Sequence, residues 1–289
     1  FFVLGEGEEV TLEYIALYRR ARDEDWTKEE LLREAARIPG IYVPPFYEPV
    51  YRPDGTLEEM RIREGSGAPE LVRKRVVEDM NKSYFPVKTI IPSTEIVHDR
   101  VMLELFRGCI RGCRFCQAGY VYRPVRNRNP ELLAQYGKAA CEDSGYQEMT
   151  LSSLSSTDYP CLLELCDNLL DYCAPRDIGL SLPSLRADTF SMNLMERLQR
   201  VRKEGLTFAP EAGTQRLRDV INKNVTEEEV LRTCKTAFSG GYTNVKLYFM
   251  MGLPTETDED IAGIIHLAQK VVDAFYHMPD KPKGRGVNV

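Results

Sequence analysis

No apolar run in this chain approaches the roughly 18 residues that a membrane-spanning helix requires, so no such span is expected. Histidine is scarce. His98, His266 and His277 are the three present, and none has a neighbour that would suit it to general-base work. Positive charge does not predominate either: 38 Lys and Arg stand against 44 Asp and Glu, for a formal charge of −6. That balance argues against a general nucleic-acid binder or a membrane-surface protein. The opening Phe1-Phe2-Val3-Leu4-Gly5-Glu6 lacks the basic stretch and long apolar segment of a secretory signal. These absences together predict a cytoplasmic location. Thiols stay reduced there, which removes a disulfide framework as the reason for eight cysteines.

With 43% hydrophobic and 28% charged residues, 289 positions suffice for one large α/β domain and an additional segment. Three cysteines, Cys109, Cys113 and Cys116, crowd into one short stretch; Cys141, Cys161, Cys166, Cys173 and Cys234 are scattered. Cys161, Cys166 and Cys173 share one predicted helix, where buried cysteine behaves as a small hydrophobe. An auxiliary cluster is the competing reading of those three.

Residues 1–4 read as a strand, followed by a turn at Gly5-Glu6-Gly7 and a helix over 10–22. Val10 stands where a nucleotide fingerprint would place its third glycine, which favours a plain strand-to-helix turn. Residues 1–22 are therefore expected to form the last βα edge of an upstream α/β domain. Residues 23–98 read as a linker: a short helix over 29–36, then five prolines between Pro39 and Pro53, and a turn at Pro53-Asp54-Gly55 that suits a hairpin. From 99 to 289 the rhythm changes. Strands are predicted at 101–106, 148–151, 178–182, 206–209 and 245–250, and helices at 130–143, 161–172, 190–203, 227–238 and 258–275. Val287-Asn288-Val289 reads as the start of a sixth strand. Such alternation means βαβ crossovers and a parallel sheet. The fold class is α/β: a partial (βα)6 TIM-like barrel, truncated in its sixth strand.

Barrels of this kind carry their chemistry at the C-terminal ends of the strands. The polar motifs fall there: Cys109 after the first strand, Ser152-Ser153 after the second, Pro183 to Arg186 after the third, Pro210-Glu211 after the fourth, Gly252-Leu253-Pro254 after the fifth. Iron–sulfur clusters are held by thiolates. A loop that offers three leaves one iron open, as a catalytic metal needs. Arg107, Arg111 and Arg114 add positive charge that should raise the potential of an anionic cluster. A zinc site, its fourth ligand drawn from a histidine or another cysteine, is the alternative, although no second C-x2-C or H-x3-H pair is present.

The spacing C-x3-C-x-aromatic-C at Cys109, Cys113, Phe115 and Cys116 resembles the signature of radical S-adenosylmethionine (SAM) enzymes. The resemblance implies a [4Fe-4S] cluster on the three cysteines and reductive cleavage of SAM to a 5′-deoxyadenosyl radical that acts on an unknown substrate. Phe115 would shape the adenine side. Ser152 and Ser153 occupy the place of the family's Gly-Gly-Glu motif, Glu211 and Lys223 that of a polar/basic pair meeting SAM, and Gly252 that of backbone near adenine. Arg186 is a further candidate contact, and no side chain is assigned as catalytic. The segments CIRGCRFCQAGYVYRPVR, TLSSLSSTDY and LTFAPEAGT are similar to relatives that carry a cobalamin-binding-like domain ahead of the barrel. Residues 1–22 would then be the edge of that domain, and cobalamin an expectation for the longer protein only.

Tyr122 to Arg128 is a basic stretch beside the cluster loop. It is open to three readings: a solvated loop, RNA contact, or docking of an electron donor such as flavodoxin or ferredoxin. Other function classes stay open too. They are methylthiotransferase-like modification of RNA or protein, a non-catalytic iron–sulfur electron carrier, and a zinc-stabilised binding module.

Overall fold

The computed structural model describes residues 1–183, 186, 193, 197, 206–279 and 286–289. They divide into two compact units, Phe1–Tyr84 and Phe85–Val289.

In the first unit, β1 (Phe2–Val3) pairs antiparallel with β2 (Ile41–Tyr42). Helices α1 (Val10–Asp23) and α2 (Lys28–Ala35) lie between them in sequence. Thr27 and Glu30 form a reciprocal capping box that satisfies the first free N–H groups of α2. Val10, Ala35, Ile41, Val43 and Phe46 make a small core of their own. The hairpin expected at Asp54-Gly55 forms, with β3 (Tyr47–Tyr51) against β4 (Leu57–Ile62). Asp54 accepts the backbone N–H of Thr56 at 2.9 Å and so closes the turn.

The second unit carries the βα repeat. Strands β5 (Val101–Glu104), β8 (Glu148–Ser152) and β9 (Gly179–Ser181) form a parallel sheet in the order β5-β8-β9. Strands β10 (Leu206–Glu211) and β11 (Val245–Phe249) form a second parallel pair. Between β5 and β8 a short antiparallel ribbon, β6 (Phe106–Arg107) with β7 (Arg126–Asn127), brackets the cysteine loop. No closed barrel forms among the described residues. The chain end runs where a sixth strand was expected: Asn288 bridges Asn244 in parallel, and Val245 N–H donates to its carbonyl at 2.9 Å. The helix expected over 190–203 lies almost wholly outside the described residues.

The helices start where the sequence caps them. For α4 (Pro130–Ser144), the Asn129 side chain accepts from Leu132 N–H, Pro130 takes the first turn, and Gly145 ends the helix at φ 72°. Helices α5 (Leu162–Cys173), α6 (Gln215–Val220), α7 (Glu227–Ser239) and α8 (Asp258–Tyr276) follow, with capping boxes at Thr226/Glu229 and Thr257/Asp260. The core collects the inner stripes of α4, α5, α7 and α8 against one face of the strands, including Leu103, Met149, Leu151, Phe208 and Phe275. Cys141, Cys166, Cys173 and Cys234 are buried in this core, and burial pushes the Cys166 thiol up to about 12. They fill space as small hydrophobes. No helix among the described residues is long and apolar enough to cross a membrane.

One contact fixes how closely the loop after β10 approaches α8. A Cβ on Gly213 would stand 2.2 Å from the Ile264 nitrogen and 2.5 Å from the Gly263 carbonyl carbon, both backbone atoms that cannot rotate away. Gly213→Ala should therefore lower stability by about 1–3 kcal/mol or more, read as a shifted denaturant midpoint at unchanged slope.

Candidate functional site

The ribbon β6/β7 sends residues 108–125 out as a loop with one short helix, α3 (Gln117–Val121). A loop of this length has few backbone partners of its own, so its carbonyls must find donors elsewhere. Arginine side chains supply them. Arg123 donates to the carbonyls of Cys109 (3.3 Å) and Arg111 (2.7 Å), and Arg126 to those of Pro124 (3.0 Å) and Tyr122 (3.2 Å). Gly108 makes the tight crossing possible. Its φ is +90°, and a Cβ there would sit 2.6 Å from the Pro124 oxygen.

Two further anchors hold the loop to the rest of the unit. Arg111 grips Asp158 through the Nε and Nη2 edge of its guanidinium, the Nε contact at 2.9 Å, and Ser155 donates to the same carboxylate at 2.7 Å. On the other side, Arg114 N–H donates to Ile221 O at 2.9 Å, its guanidinium to Val220 O, and Asn222 Nδ2 to Gly112 O at 2.8 Å. The sequence reading named neither Asp158 nor Asn222. Each lies far along the chain from its partner, and only the fold joins them.

The three thiols sit on this pinned loop, Cys109 buried and Cys113 and Cys116 half-buried. Cys109 Sγ accepts the Arg111 N–H at 3.4 Å, and Cys116 Sγ accepts that of Gly119 at 3.3 Å while capping α3. Among the described residues no three Cys, His, Asp or Glu side chains are already gathered at metal-binding geometry. The donor set still suits an iron–sulfur group: three thiols on one loop, two of them already receiving backbone N–H groups, the interaction that tunes cluster sulfurs.

The expected positive charge around the loop is partly offset by carboxylates. Arg107 is neutralised by Glu104 in a two-pronged pair at 2.9 Å, and Arg111 by Asp158; Arg114 spends its charge on a helix-end carbonyl. Of the basic stretch, Tyr122, Arg123 and Asn127 are exposed and Arg126 is half-buried, whereas Arg128 is turned inward. Arg128 is 3% exposed and lies 3.8 Å from Glu104, so it cannot serve as a docking side chain.

At the strand ends, Glu104 and Ser152 stand side by side in the β5–β8 register. A cavity of about 380 Å³ opens there, lined by Glu104, Arg107, Tyr122, Ser152, Ser153 and Leu154. Ser153 Oγ lies 3.0 Å from Ser156 Oγ and accepts the Ser155 N–H at 3.2 Å, which fixes the turn after β8. Glu211, at φ +71°, meets Lys223 at 3.0 Å with both side chains mostly buried. The Lys223 ammonium lies 5.9 Å from the Phe115 ring centre, and Arg186 donates to Lys223 O at 3.4 Å. The fold thus brings Phe115, Arg186, Glu211 and Lys223 together beside the cysteine loop. Gly252 (φ +83°) lies on the loop before α8, its N–H donating to Glu256 at 2.8 Å, with nothing within 4 Å of where a Cβ would be.

A cysteine loop braced at the C-terminal ends of parallel βα strands defines a class, and the comparisons specify it. Residues 103–268 match the radical SAM superfamily and residues 1–44 match the N-terminal region of radical SAM proteins. The chain belongs to the radical SAM superfamily. An uncharacterized protein of Methanocaldococcus jannaschii is 42% identical over 172 residues, 59% of this chain and 37% of the relative. A tRNA-2-methylthio-N(6)-dimethylallyladenosine synthase of Desulforamulus reducens is 25% identical over 182 residues, 60% of this chain and 39% of that one. The solved radical SAM methyltransferase TsrM of Kitasatospora setae, with tryptophan and a SAM analogue bound, shares the fold at a TM-score of 0.58 and 13% identity. That match covers 93% of this chain and 49% of TsrM. The chain thus spans between about a third and a half of the length of these relatives.

The Arg111–Asp158 contact can be tested through pH. Burial opposes ionisation of Asp158, but the hydrogen bonds from Arg111 and Ser155 outweigh it and hold the carboxyl below its usual value. The stability from this pair is therefore complete above the ordinary carboxylate pKa of about 4 and is lost as pH falls through the lower folded value. Asp158→Asn should cost about 1.5–3 kcal/mol near neutral pH. Urea unfolding should show that gap closing as the pH falls below about 4.

Proposed function

We propose that this chain carries, in residues 99–289, the barrel of a radical SAM enzyme that cleaves S-adenosylmethionine reductively and directs the resulting radical onto a substrate. The observation that carries the reading is the braced loop of Cys109, Cys113 and Cys116, which lies within the stretch matching the superfamily. These cysteines would ligate a [4Fe-4S] cluster. That group, when bound, supplies the electron for SAM cleavage. The chain's own contribution is placement. Phe115, Lys223, Glu211 and Arg186 would line one side of the bound SAM, Ser152 and Ser153 would meet it by the turn after β8, and the backbone at Gly252 would approach its base. No side chain is assigned as catalytic.

Residues 1–22 would be the edge of a cobalamin-binding-like domain, 23–98 a linker and 99–289 the barrel; cobalamin belongs to this reading only for the longer protein. The reductant would be a flavodoxin or ferredoxin. Arg128 is too buried to meet it, but Arg123 and Arg126 reach the surface of the loop that also exposes Ile110 and Tyr120, and its approach would be there. A methylthiotransferase-like reaction on RNA or protein is the second reading, supported by likeness to the tRNA-modifying synthase.

Anaerobic reconstitution should yield a brown protein with about four irons per chain that forms 5′-deoxyadenosine from SAM under reductant. Cys113→Ala should abolish the product. A colourless protein with a single zinc would overturn the reading, and a loaded cluster that never yields product would favour the electron-carrier class.

A further inference from the structure

Arg218 is fully buried in α6, yet among the described residues no carboxylate hydrogen-bonds its guanidinium. Nε donates to Val225 O at 3.0 Å, Nη1 to Ala212 O at 2.9 Å and Gly213 O at 3.3 Å, and Nη2 to the Gln215 side chain at 3.1 Å. A buried charge is costly unless its donors are satisfied, so this fork must be held by, and must hold, the backbone around it. Ala212 and Gly213 directly follow Glu211, and Val225 comes two residues after Lys223. One planar group therefore clamps both ends of the segment whose termini carry the Glu211–Lys223 pair.

That segment is strained. Glu211 (φ +71°), Asn222 (φ +53°) and Asn224 (φ +51°) all occupy the left-handed region without being glycine. Such residues persist only where their surroundings over-determine them. The same turn docks the cysteine loop, through Ile221 O, Val220 O and the Asn222 side chain. Lys223 N–H closes the circuit by donating to Arg218 O at 2.9 Å.

We propose that Arg218 is a positioning residue that holds the strained 211–225 turn, so that Lys223 faces Glu211 and the cysteine loop stays docked on Asn222. The inference rests on the radical SAM reading for its consequence but not for its geometry. A structural role alone would leave SAM affinity in a folded variant unchanged; positioning links it to the turn.

Arg218→Lys keeps the charge and stem but replaces the five-donor fork with one ammonium. In the full chain reconstituted with cluster, iron content should match wild type. The SAM concentration that half-saturates the change in the reduced cluster's EPR signal should rise about ten-fold, one contact's worth. The rate at saturating SAM should stay within about two-fold. In the cluster-free chain, amide hydrogen exchange should show lost protection at residues 222–225 and 112–116. Unchanged SAM dependence in a folded variant, or unchanged exchange, overturns the proposal. Should the variant not fold, wild type decides: the Lys223 and Arg114 amides must exchange through a common opening. An Arg114 amide exchanging more than about ten-fold faster than Lys223 overturns it. Were the wild-type cluster to ignore SAM, the proposed function would fall while the exchange experiment still judged Arg218.

Discussion

The second unit depends on a loop that makes almost no backbone ladder of its own being held by guanidinium groups. Residues 108–125 leave a two-residue ribbon and return to it, and between those points most carbonyls have no strand or helix to pair with. Arg123 from within the loop and Arg126 from β7 satisfy four of them. Arg111 and Arg114 then tie the loop outward, one to the turn after β8 and the other to the end of α6. A planar fork suits this work because it can meet two acceptors at once without losing its charge. The thiols inherit their placement from these contacts.

This use of arginine also settles the electrostatics. Read as a string, the cysteine motif shows three arginines beside three thiols. In the fold, Glu104 and Asp158 cancel two of them at contact distance, and both carboxylates lie on the βα scaffold rather than on the loop. The scaffold therefore offsets part of the arginine charge near the cysteines, while Arg114, Arg123 and Arg126, which meet only carbonyls, keep theirs.

Most of the architecture was legible because strands buried on one face read as short apolar runs and helices carry their caps in sequence. The runs at 148–151 and 245–250 became β8 and β11 with boundaries moved by one residue. The single run 101–106 did not survive as one strand: it breaks after Glu104, and Phe106–Arg107 pairs instead with residues beyond the cysteines. Helices α3 and α6 escaped notice because five and six residues are too few for a periodic signal. The polar framework was illegible for a different reason. Arg111 and Asp158 are 47 positions apart, and Asn222 and Gly112 are 110 apart, so no local pattern joins them.

One further chain of contacts shows why the site spans several βα units. Asp260 is 3% exposed and receives Arg216, Thr214 and the Thr257 backbone, with Arg216 the foremost cause of a carboxyl held well below the usual range. Arg216 also donates to Thr255 O at 2.8 Å, so the loop bearing Gly252 is tied to α6. Helix α6 is the same element that holds Arg218 and whose end docks the cysteine loop. Six residues of helix thus connect the loops after the first, fourth and fifth barrel strands. A helix so short has little stability of its own, and its persistence must come from these tertiary bonds. The site and the helix are therefore coupled: loosening α6 would disturb three strand-end loops together, which a longer, self-sufficient helix would not.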